Sequence, residues 1–187
     1  MTDLLAYIQT ITDFSQPSWE LLRQSLSIEV YAKGAYLLEA GQSCHSIFFI
    51  SKGYCRLYQD KEGVEINTNF YFETDFATNI QSLVTNAKST YAIQACEALK
   101  VIRFDKQQLL ELYKHAPEIE SFGRKLLEIL LAKQQAHIDL FKLLSAGERY
   151  EYIRVHQATM LERVSLTQLS SYLGIRRETL SRIRSRK

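Results

Sequence analysis

Residues 166–184 have the sequence LTQLSSYLGIRRETLSRIR, and this is the most informative stretch of the 187-residue chain. Its apolar residues have the spacing of two short crossing helices, and they are Leu169, Leu173, Ile175, Leu180 and Ile183. Gly174 lies between the two halves, where a tight turn needs the left-handed backbone that glycine adopts without strain. The pattern predicts a helix-turn-helix.

The second helix of this motif is predicted over about residues 176–185. At 100° per residue, Leu180 and Ile183 point inward. The outward side chains are Glu178, Ser181, Arg182 and Ser185, with Arg177 on the flank and Arg176 at the start of the helix. Arginine can donate two hydrogen bonds to guanine O6 and N7, and glutamate can accept one from cytosine N4. This surface is typical of a helix that reads DNA, whereas a charged surface helix would leave the inward register and the glycine unexplained.

The charge of the chain is concentrated at its C-terminal end. Residues 144–187 carry nine Arg or Lys and four Glu side chains, whereas the net charge of the whole chain is only +2. This asymmetry indicates contact with a polyanion. Charge alone would fit a solvated basic tail better, so the prediction of DNA binding depends on the helix-turn-helix spacing.

The middle of the chain, from about residue 28 to residue 104, has the pattern of a β domain. Short β-favouring runs lie at residues 36–38, 46–50, 54–58, 64–71, 91–95 and 100–104. Turn residues separate them, among them Gly34, Gly41 and Gly53. Strands and turns at this spacing predict an all-β sandwich or barrel.

Helices are predicted on both sides of the β domain. One covers about residues 4–26, with Ser18 as a cap, and another covers residues 107–114, with Asp105 as a cap. A long helix begins at Pro117 and runs to about residue 144, since proline is tolerated in a first turn. Its apolar residues form a heptad-like seam of Ile119, Phe122, Leu126, Ile129, Ala136 and Leu140. The seam could pair with its twin in a dimer or pack on the β domain. Leu127, Leu130, Leu131 and Phe141 lie off the seam, which favours both together.

The run from Leu173 to Arg182, LGIRRETLSR, resembles the recognition element of the Crp/Fnr family of bacterial transcription regulators. The resemblance implies an α+β fold: an N-terminal antiparallel β-roll of the cyclic nucleotide-binding, jelly-roll type, a long dimerisation helix and a C-terminal all-α helix-turn-helix. We expect a sensor domain at residues 1–116, the dimerisation helix at 117–143 and the DNA-binding domain at 144–187. The fragments Lys33-Gly34 and residues 47–53 support the likeness in the β part.

The resemblance also implies roles for individual residues. By position, Arg177, Glu178 and Arg182 would read bases. Arg176 and Ser181, which lie beside them, would belong to the same DNA-binding surface. Thr167, Gln168 and Thr179 would contact phosphates. A β-hairpin wing, common in the family, has little room between residues 152 and 166 or after Arg184. We expect Arg184, Arg186 and Lys187 to compensate, through their charge, for the DNA backbone contacts that a wing would make.

The β part departs from the cyclic-AMP receptors of the family. Those receptors hold the ribose and phosphate with a Gly-Glu-Leu turn and, ten residues later, Arg-Ser. Here Thr78-Asn79-Ile80 and Ser89-Thr90 take those places, so both the carboxylate and the guanidinium are missing. A buried phosphate would lack its arginine partner. We therefore predict that Asn79, Ser89 and Thr90 line a ligand position that does not bind cyclic AMP. A different effector, or none, remains open.

Signatures of other function classes are absent. The four histidines lie on four separate predicted elements and the three cysteines are far apart, so no metal site and no cofactor is predicted. No P-loop, GxGxxG or GxSxG motif occurs, which argues against an enzyme. No apolar run is long enough for a membrane span. We expect a cytoplasmic, homodimeric transcription regulator. The alternatives are a ligand-binding or interaction module of the same fold without DNA binding and, less favoured, a cupin-like metalloenzyme.

Overall fold

The computed structural model describes residues 1–185, so Arg186 and Lys187 and their predicted electrostatic role lie outside the described residues. The strands are β1 Leu26–Tyr31, β2 Tyr36–Leu38, β3 Ser46–Lys52, β4 Cys55–Lys61, β5 Val64–Tyr71, β6 Phe76–Ala77, β7 Ala92–Ala95 and β8 Leu99–Asp105. The helices are α1 Thr2–Ile11, α2 Gln16–Gln24, α3 Ile80–Thr85, α4 Lys106–Tyr113, α5 Pro117–Leu143, α6 Ala146–His156, α7 Ala158–Arg163, α8 Leu166–Leu173 and α9 Arg177–Ser185.

The strands form two antiparallel sheets. Their orders are β1-β8-β3-β6 and β2-β7-β4-β5. Aliphatic and aromatic residues lie opposite one another on neighbouring strands of a sheet, as Phe49 on β3 lies opposite Ile102 on β8. Both residues are fully buried in the main core. A core forms when one face of each sheet is covered, and here the two four-stranded sheets and the helices around them enclose it. The result is the predicted β-roll, which is followed by a long helix and further helices. The predicted fold class is confirmed.

The N-terminal helices and the first half of α5 close this core. Leu4 of α1 and Leu22 of α2 are fully buried. The ring of Phe14, between the two helices, lies 6.2 Å from the ring of Phe122 on α5. Ile119 and Leu126 of α5 are buried in the same cluster. This half of the predicted heptad seam therefore packs on the β-roll of its own chain.

The rest of the predicted seam is divided, and the exposed apolar side of α5 lies elsewhere. Of the remaining seam residues, Ile129 is half-buried, Ala136 is exposed and Leu140 is buried. Apart from Leu143 at the last position of α5, its exposed large apolar side chains are Leu127, Leu131 and Ile138. They share one face because their spacings of four and seven residues return to nearly the same angle on a helix. Most of the seam is therefore buried within its own chain, which is one of the two predicted alternatives, and we name Leu127, Leu131 and Ile138 the α5 stripe.

The N-terminal helix prediction is wrong in its details. The chain forms two helices there, separated by residues 12–15, and the N-cap of the second is Ser15, whose side chain accepts from the N–H of Ser18. Strand β1 occupies residues assigned in part to the helix. Strand β6 and helix α3 were not predicted. Asn79 caps α3, and Asp105 caps α4 as predicted.

The C-terminal residues 144–185 are helical in every described element and have a core of their own. Ser145 caps α6 in a reciprocal capping box with Glu148. Helices α6 to α9 surround the second core cluster, in which Ile153, Leu173 and Leu180 are fully buried. Two residues of the β-roll, Tyr54 and Phe70, belong to the same cluster. The helical part is therefore packed directly on the roll.

Candidate nucleic-acid interface

The turn between α8 and α9 is built as the sequence predicts. Gly174 ends α8 with φ +68°, in the left-handed region. Its N–H donates to the carbonyl of Ser171 at 3.1 Å, and the N–H of Ile175 donates to the carbonyl of Ser170 at 3.1 Å. This pair of bonds is the Schellman termination of a helix. The Nη1 of Arg149 on α6 donates to the carbonyl of Leu173 at 3.0 Å, which fixes the end of α8 from outside.

Helix α9 has the register that DNA reading requires. Leu180 is fully buried and Ile183 packs partly buried against the same core cluster. The opposite face is exposed, and one open groove is lined by Arg177, Glu178, Ser181 and Arg182. Arg176 lies just before the helix, and its carbonyl accepts from the N–H of Thr179 and Leu180. The arrangement leaves the charged side chains free to reach base edges.

The three predicted phosphate contacts occupy different environments. Thr167 is exposed in the first turn of α8, and Gln168 beside it is half-buried. The Ser165 side chain caps this helix by accepting from the N–H of Gln168 at 3.3 Å. Thr179 is half-buried on α9. Thr167 is thus the most accessible of the three.

The basic residues of this part divide into internal and external groups. Arg149 donates to two backbone carbonyls, and Arg154 forms an ion pair with Glu151 on its own helix. Arg163 forms ion pairs with two carboxylates of the β-roll. Within residues 1–185 no salt bridge involves the exposed arginines of the turn and α9, namely Arg176, Arg177, Arg182 and Arg184. The exposed arginines without a salt bridge in residues 1–185 are thus concentrated on and beside α9.

The predicted ligand position in the β-roll is brought together, but its polar groups are already engaged. The Nδ2 of Asn79 donates to Oγ of Ser89 at 2.7 Å, and that hydroxyl donates to the carbonyl of Tyr91 at 2.8 Å. Asn79 Oδ1 accepts from the N–H of Ser82. Asn79 and Ser89 are buried, and Thr90 is exposed. Two neutral side chains that bond each other offer no charge for a phosphate.

Comparisons with known proteins agree with this geometry. The sequence of the β-roll matches the family described as cyclic nucleotide-binding domain over residues 28–116. The chain has the fold of Crp/Fnr regulators, so the resemblance of its C-terminal motif to that family is confirmed at the level of fold.

Three solved structures show how far the likeness extends. The c-di-GMP responsive global regulator CLP of Xanthomonas campestris has a TM-score of 0.72 and 12% identity, covering 92% of this chain and 91% of its own. A Crp/Fnr family regulator of Eubacterium rectale has a TM-score of 0.69 and 16% identity, covering 91% and 82%. The catabolite activator protein of Thermus thermophilus has a TM-score of 0.56 and 18% identity, covering 92% and 83%. Among curated sequences, none matches significantly.

The β-roll also has a cavity whose lining does not include Asn79 or Ser89. It has a volume of about 320 Å³ and opens beside β1 and the loop before β3. Arg103 lies in its lining, with Nε donating to Ser46 Oγ at 2.7 Å and ion pairs to Glu29 and Asp105 at 3.5 and 3.4 Å. Its charged groups are thus mutually compensated.

Other chemistries find no support in the part of the chain that the structure describes. No group of three or more His, Cys, Asp or Glu side chains there could hold a metal ion. No helix within residues 1–185 is long and apolar enough to cross a bilayer.

Sequence reasoning missed three residues that position the helix-turn-helix. Arg149 and Arg163 were counted only as charge, and Ser171 was assigned no role. Their partners are Leu173, Glu73 and the backbone of β5, and the last two lie about 90 to 105 residues away. No local pattern carries such a contact.

Proposed function

We propose that this chain is a homodimeric, sequence-specific DNA-binding transcription regulator that acts in the cytoplasm and has no catalytic activity. The observation that carries the proposal is the register of α9. Leu180 is buried while Arg177, Glu178, Ser181 and Arg182 line one exposed groove. A helix of this kind, held in a helix-turn-helix by a glycine turn, fits the major groove with its side chains against base edges.

The reading roles are assigned by chemistry. Arg177 and Arg182 would donate to guanine O6 and N7, and Glu178 would accept from cytosine N4. Ser181 lies between them, and its short side chain permits close approach of the helix. Thr167, Gln168 and Thr179 would contact phosphates, and Arg176 would belong to the same DNA-binding surface. Thr167 is the best placed of these because it is exposed in the first turn of α8.

The α5 stripe supports the dimer part of the proposal. Leu127, Leu131 and Ile138 are 43%, 60% and 36% exposed. Exposed leucines at this spacing on a long helix are typical of a two-helix seam. Two parallel copies of α5 would place two recognition helices on one face of the dimer. They would then meet half-sites about 34 Å apart on a near-palindromic operator.

We further propose that cyclic AMP is not the effector. The support is the mutual hydrogen bond of Asn79 and Ser89, in a place where cyclic-AMP receptors carry a carboxylate and a guanidinium. Isothermal titration calorimetry of the full chain with cyclic AMP should give no binding at micromolar concentration. Micromolar binding would overturn this part of the proposal. Neither outcome bears on DNA binding.

The experiment that tests the proposed function is selection of bound fragments from a random DNA pool, followed by affinity measurement on the enriched sequence. We expect enrichment of a near-palindrome. Affinity should fall steeply between ~50 and ~200 mM salt, because each phosphate contact releases counterions. No enrichment, together with weak binding that is insensitive to salt, would instead support an interaction module without DNA binding.

A further inference from the structure

The helix-turn-helix of this chain is packed on the outer face of its own β-roll. Three aromatic residues form a patch that we name the docking face: Phe70 on β5, Tyr54 just before β4 and Phe72 just after β5. Tyr54 and Phe70 are only 5% and 4% exposed because the C-terminal helices cover them. The ring of Phe70 meets the ring of Tyr172 on α8 edge-on, with centroids 5.6 Å apart. The roll and the helix-turn-helix therefore share one hydrophobic core.

Helix α8 also completes the open edge of a sheet. Strand β5 is an edge strand and pairs only with β4. The N–H of Asn67 donates to Oγ of Ser171 at 3.0 Å, and that hydroxyl donates to the carbonyl of Glu65 at 2.9 Å. Both bonds are specific to one register of α8 along β5. Ser171 lies three residues before Gly174. The position of α8 along β5 therefore also fixes the position of the turn and of α9.

Arg163, at the end of α7, holds the C-terminal helices to the docking face through ion pairs. Its guanidinium bonds both carboxylate oxygens of Glu73 at 2.6 and 3.0 Å and reaches Glu97 at 2.5 Å. It lies over the ring of Tyr54 at 5.1 Å, and the Tyr54 hydroxyl donates to the Arg163 carbonyl at 3.0 Å. The bond from Arg163 holds the pKa of the Glu73 carboxyl below its usual value. A two-oxygen contact of this kind fixes direction as well as distance.

We propose that Arg163 and Ser171 are positioning residues for DNA recognition, which fix the recognition helix to the β-roll of the same protomer. The inference rests on the proposed function. Through Asn67 and Glu65, strand β5 of the β4–β5 hairpin braces the helix-turn-helix. The distance between the two recognition helices in a dimer then follows from α5 and from this contact, and the protein selects one half-site spacing.

The contact itself is tested on the full chain without DNA. Hydrogen exchange of the Asn67 amide reports directly on the bond to Ser171, and we expect it to quicken about ten-fold or more in Arg163→Gln, since local opening becomes cheaper. Arg23→Gln is the matched control, because Arg23 forms a comparable ion pair with Glu20 on α2, away from the docking face. Ser171→Ala is the milder second variant if Arg163→Gln fails to fold. Unchanged exchange of the Asn67 amide in both variants would overturn the proposal.

The role in recognition is tested with the selected operator and with a copy whose half-sites are moved apart by about two base pairs. Wild type should prefer the original spacing, and Arg163→Gln should reduce that preference about five-fold or more, a loss of about 1 kcal/mol of discrimination. Arg163→Lys should restore part of it, whereas lost packing alone would not respond to the restored charge. An unchanged preference in Arg163→Gln would overturn the proposal. If even wild type binds no DNA, the proposed function fails, while the exchange of Asn67 still decides whether the contact exists.

Discussion

The Nδ1 of His137, on α5, lies 3.3 Å from the hydroxyl of Tyr172, on α8. The two rings are also in contact, with centroids 5.7 Å apart, and the ring of Phe141 packs against both. This small aromatic cluster joins the long helix to the helix-turn-helix. It is a direct contact between α5 and the C-terminal domain.

The His137 contact makes stability depend on pH. Burial lowers the pKa of His137 below its ordinary value. Between that lowered pKa and about 6.5 the unfolded chain binds more protons than the folded chain, so the free energy of unfolding falls as pH drops. Above about 6.5 both states are neutral at this site and the effect vanishes. The loss is at most about 1.4 kcal/mol per pH unit for a single group.

Urea unfolding at pH 7.5 and 5.5 measures this effect. His137→Gln should lose less stability than wild type over that interval, because glutamine does not titrate there. Tyr172→Phe is the control, since it removes only the hydroxyl bond and leaves His137 to titrate. Equal losses for wild type and His137→Gln would show that His137 does not contribute.

Recognition by α9 predicts unequal roles for its arginines. Arg177→Ala and Arg182→Ala should each weaken operator binding by about 1–3 kcal/mol and relax preference at one base. Arg184→Ala removes the same charge from the same helix but lies outside the groove. It should weaken binding evenly across sequences and reduce the salt slope by about one. Fluorescence anisotropy at matched salt measures all three, and equal affinity of Arg182→Ala and wild type would refute base reading by that residue.

The C-terminal motif and the strand pattern are predictable because their signals are local. The spacing of Leu180 and Ile183 sets which face of α9 is buried, and Gly174 marks the turn. The run at residues 64–71 coincides with β5. In contrast, the alternation of apolar and polar residues in β1 did not reveal a strand. Leu22 and Leu26 are four residues apart, a spacing that is also typical of a helix. Ser18 directly precedes Trp19 and so resembles a cap, but in the folded chain it is the Ser15 side chain that caps α2 by accepting from the N–H of Ser18.

The packing of the helices was beyond local reasoning. A heptad seam on α5 is compatible with a core or with a partner, and contacts in the folded chain, such as that of Phe14 with Phe122, show that its first half is core. Ser171 and Asn67 are 104 residues apart, so the contact that orients the helix-turn-helix leaves no trace in either segment. The structure also shows Asn79 bonded to Ser89, which a comparison of motif positions could not foresee.

The α5 stripe predicts which side of the long helix pairs in a dimer. Leu131→Asp should convert the dimer to a monomer at micromolar concentration, because the seam would have to bury two facing carboxylates. Ala136→Asp is the matched control: it introduces the same charge at an exposed position of the original seam, about 140° away on the helix. Sedimentation velocity distinguishes the species. A monomer produced by Ala136→Asp and not by Leu131→Asp would place the interface on the originally predicted seam.

Gly53, in the turn between β3 and β4, should be the least replaceable glycine of the roll. Its φ is +87°, and a Cβ at this position would lie 2.5 Å from the carbonyl oxygen of Ala98. The backbone of Ala98 cannot yield without disturbing β8, which follows it directly. Gly63, in the hairpin between β4 and β5, has a similar φ of +81°, but a Cβ there would meet nothing within 4 Å.

The two substitutions therefore separate backbone strain from collision. Gly63→Ala should cost about 1–2 kcal/mol, the cost of the left-handed conformation alone. Gly53→Ala should cost that amount and a further ~1–3 kcal/mol of overpacking, and it should lower the melting temperature more. Urea denaturation of both variants beside wild type gives the difference. If Gly53→Ala were no less stable than Gly63→Ala, the close approach of the β3–β4 turn to Ala98 would be wrong, and with it the position of β8 against β3.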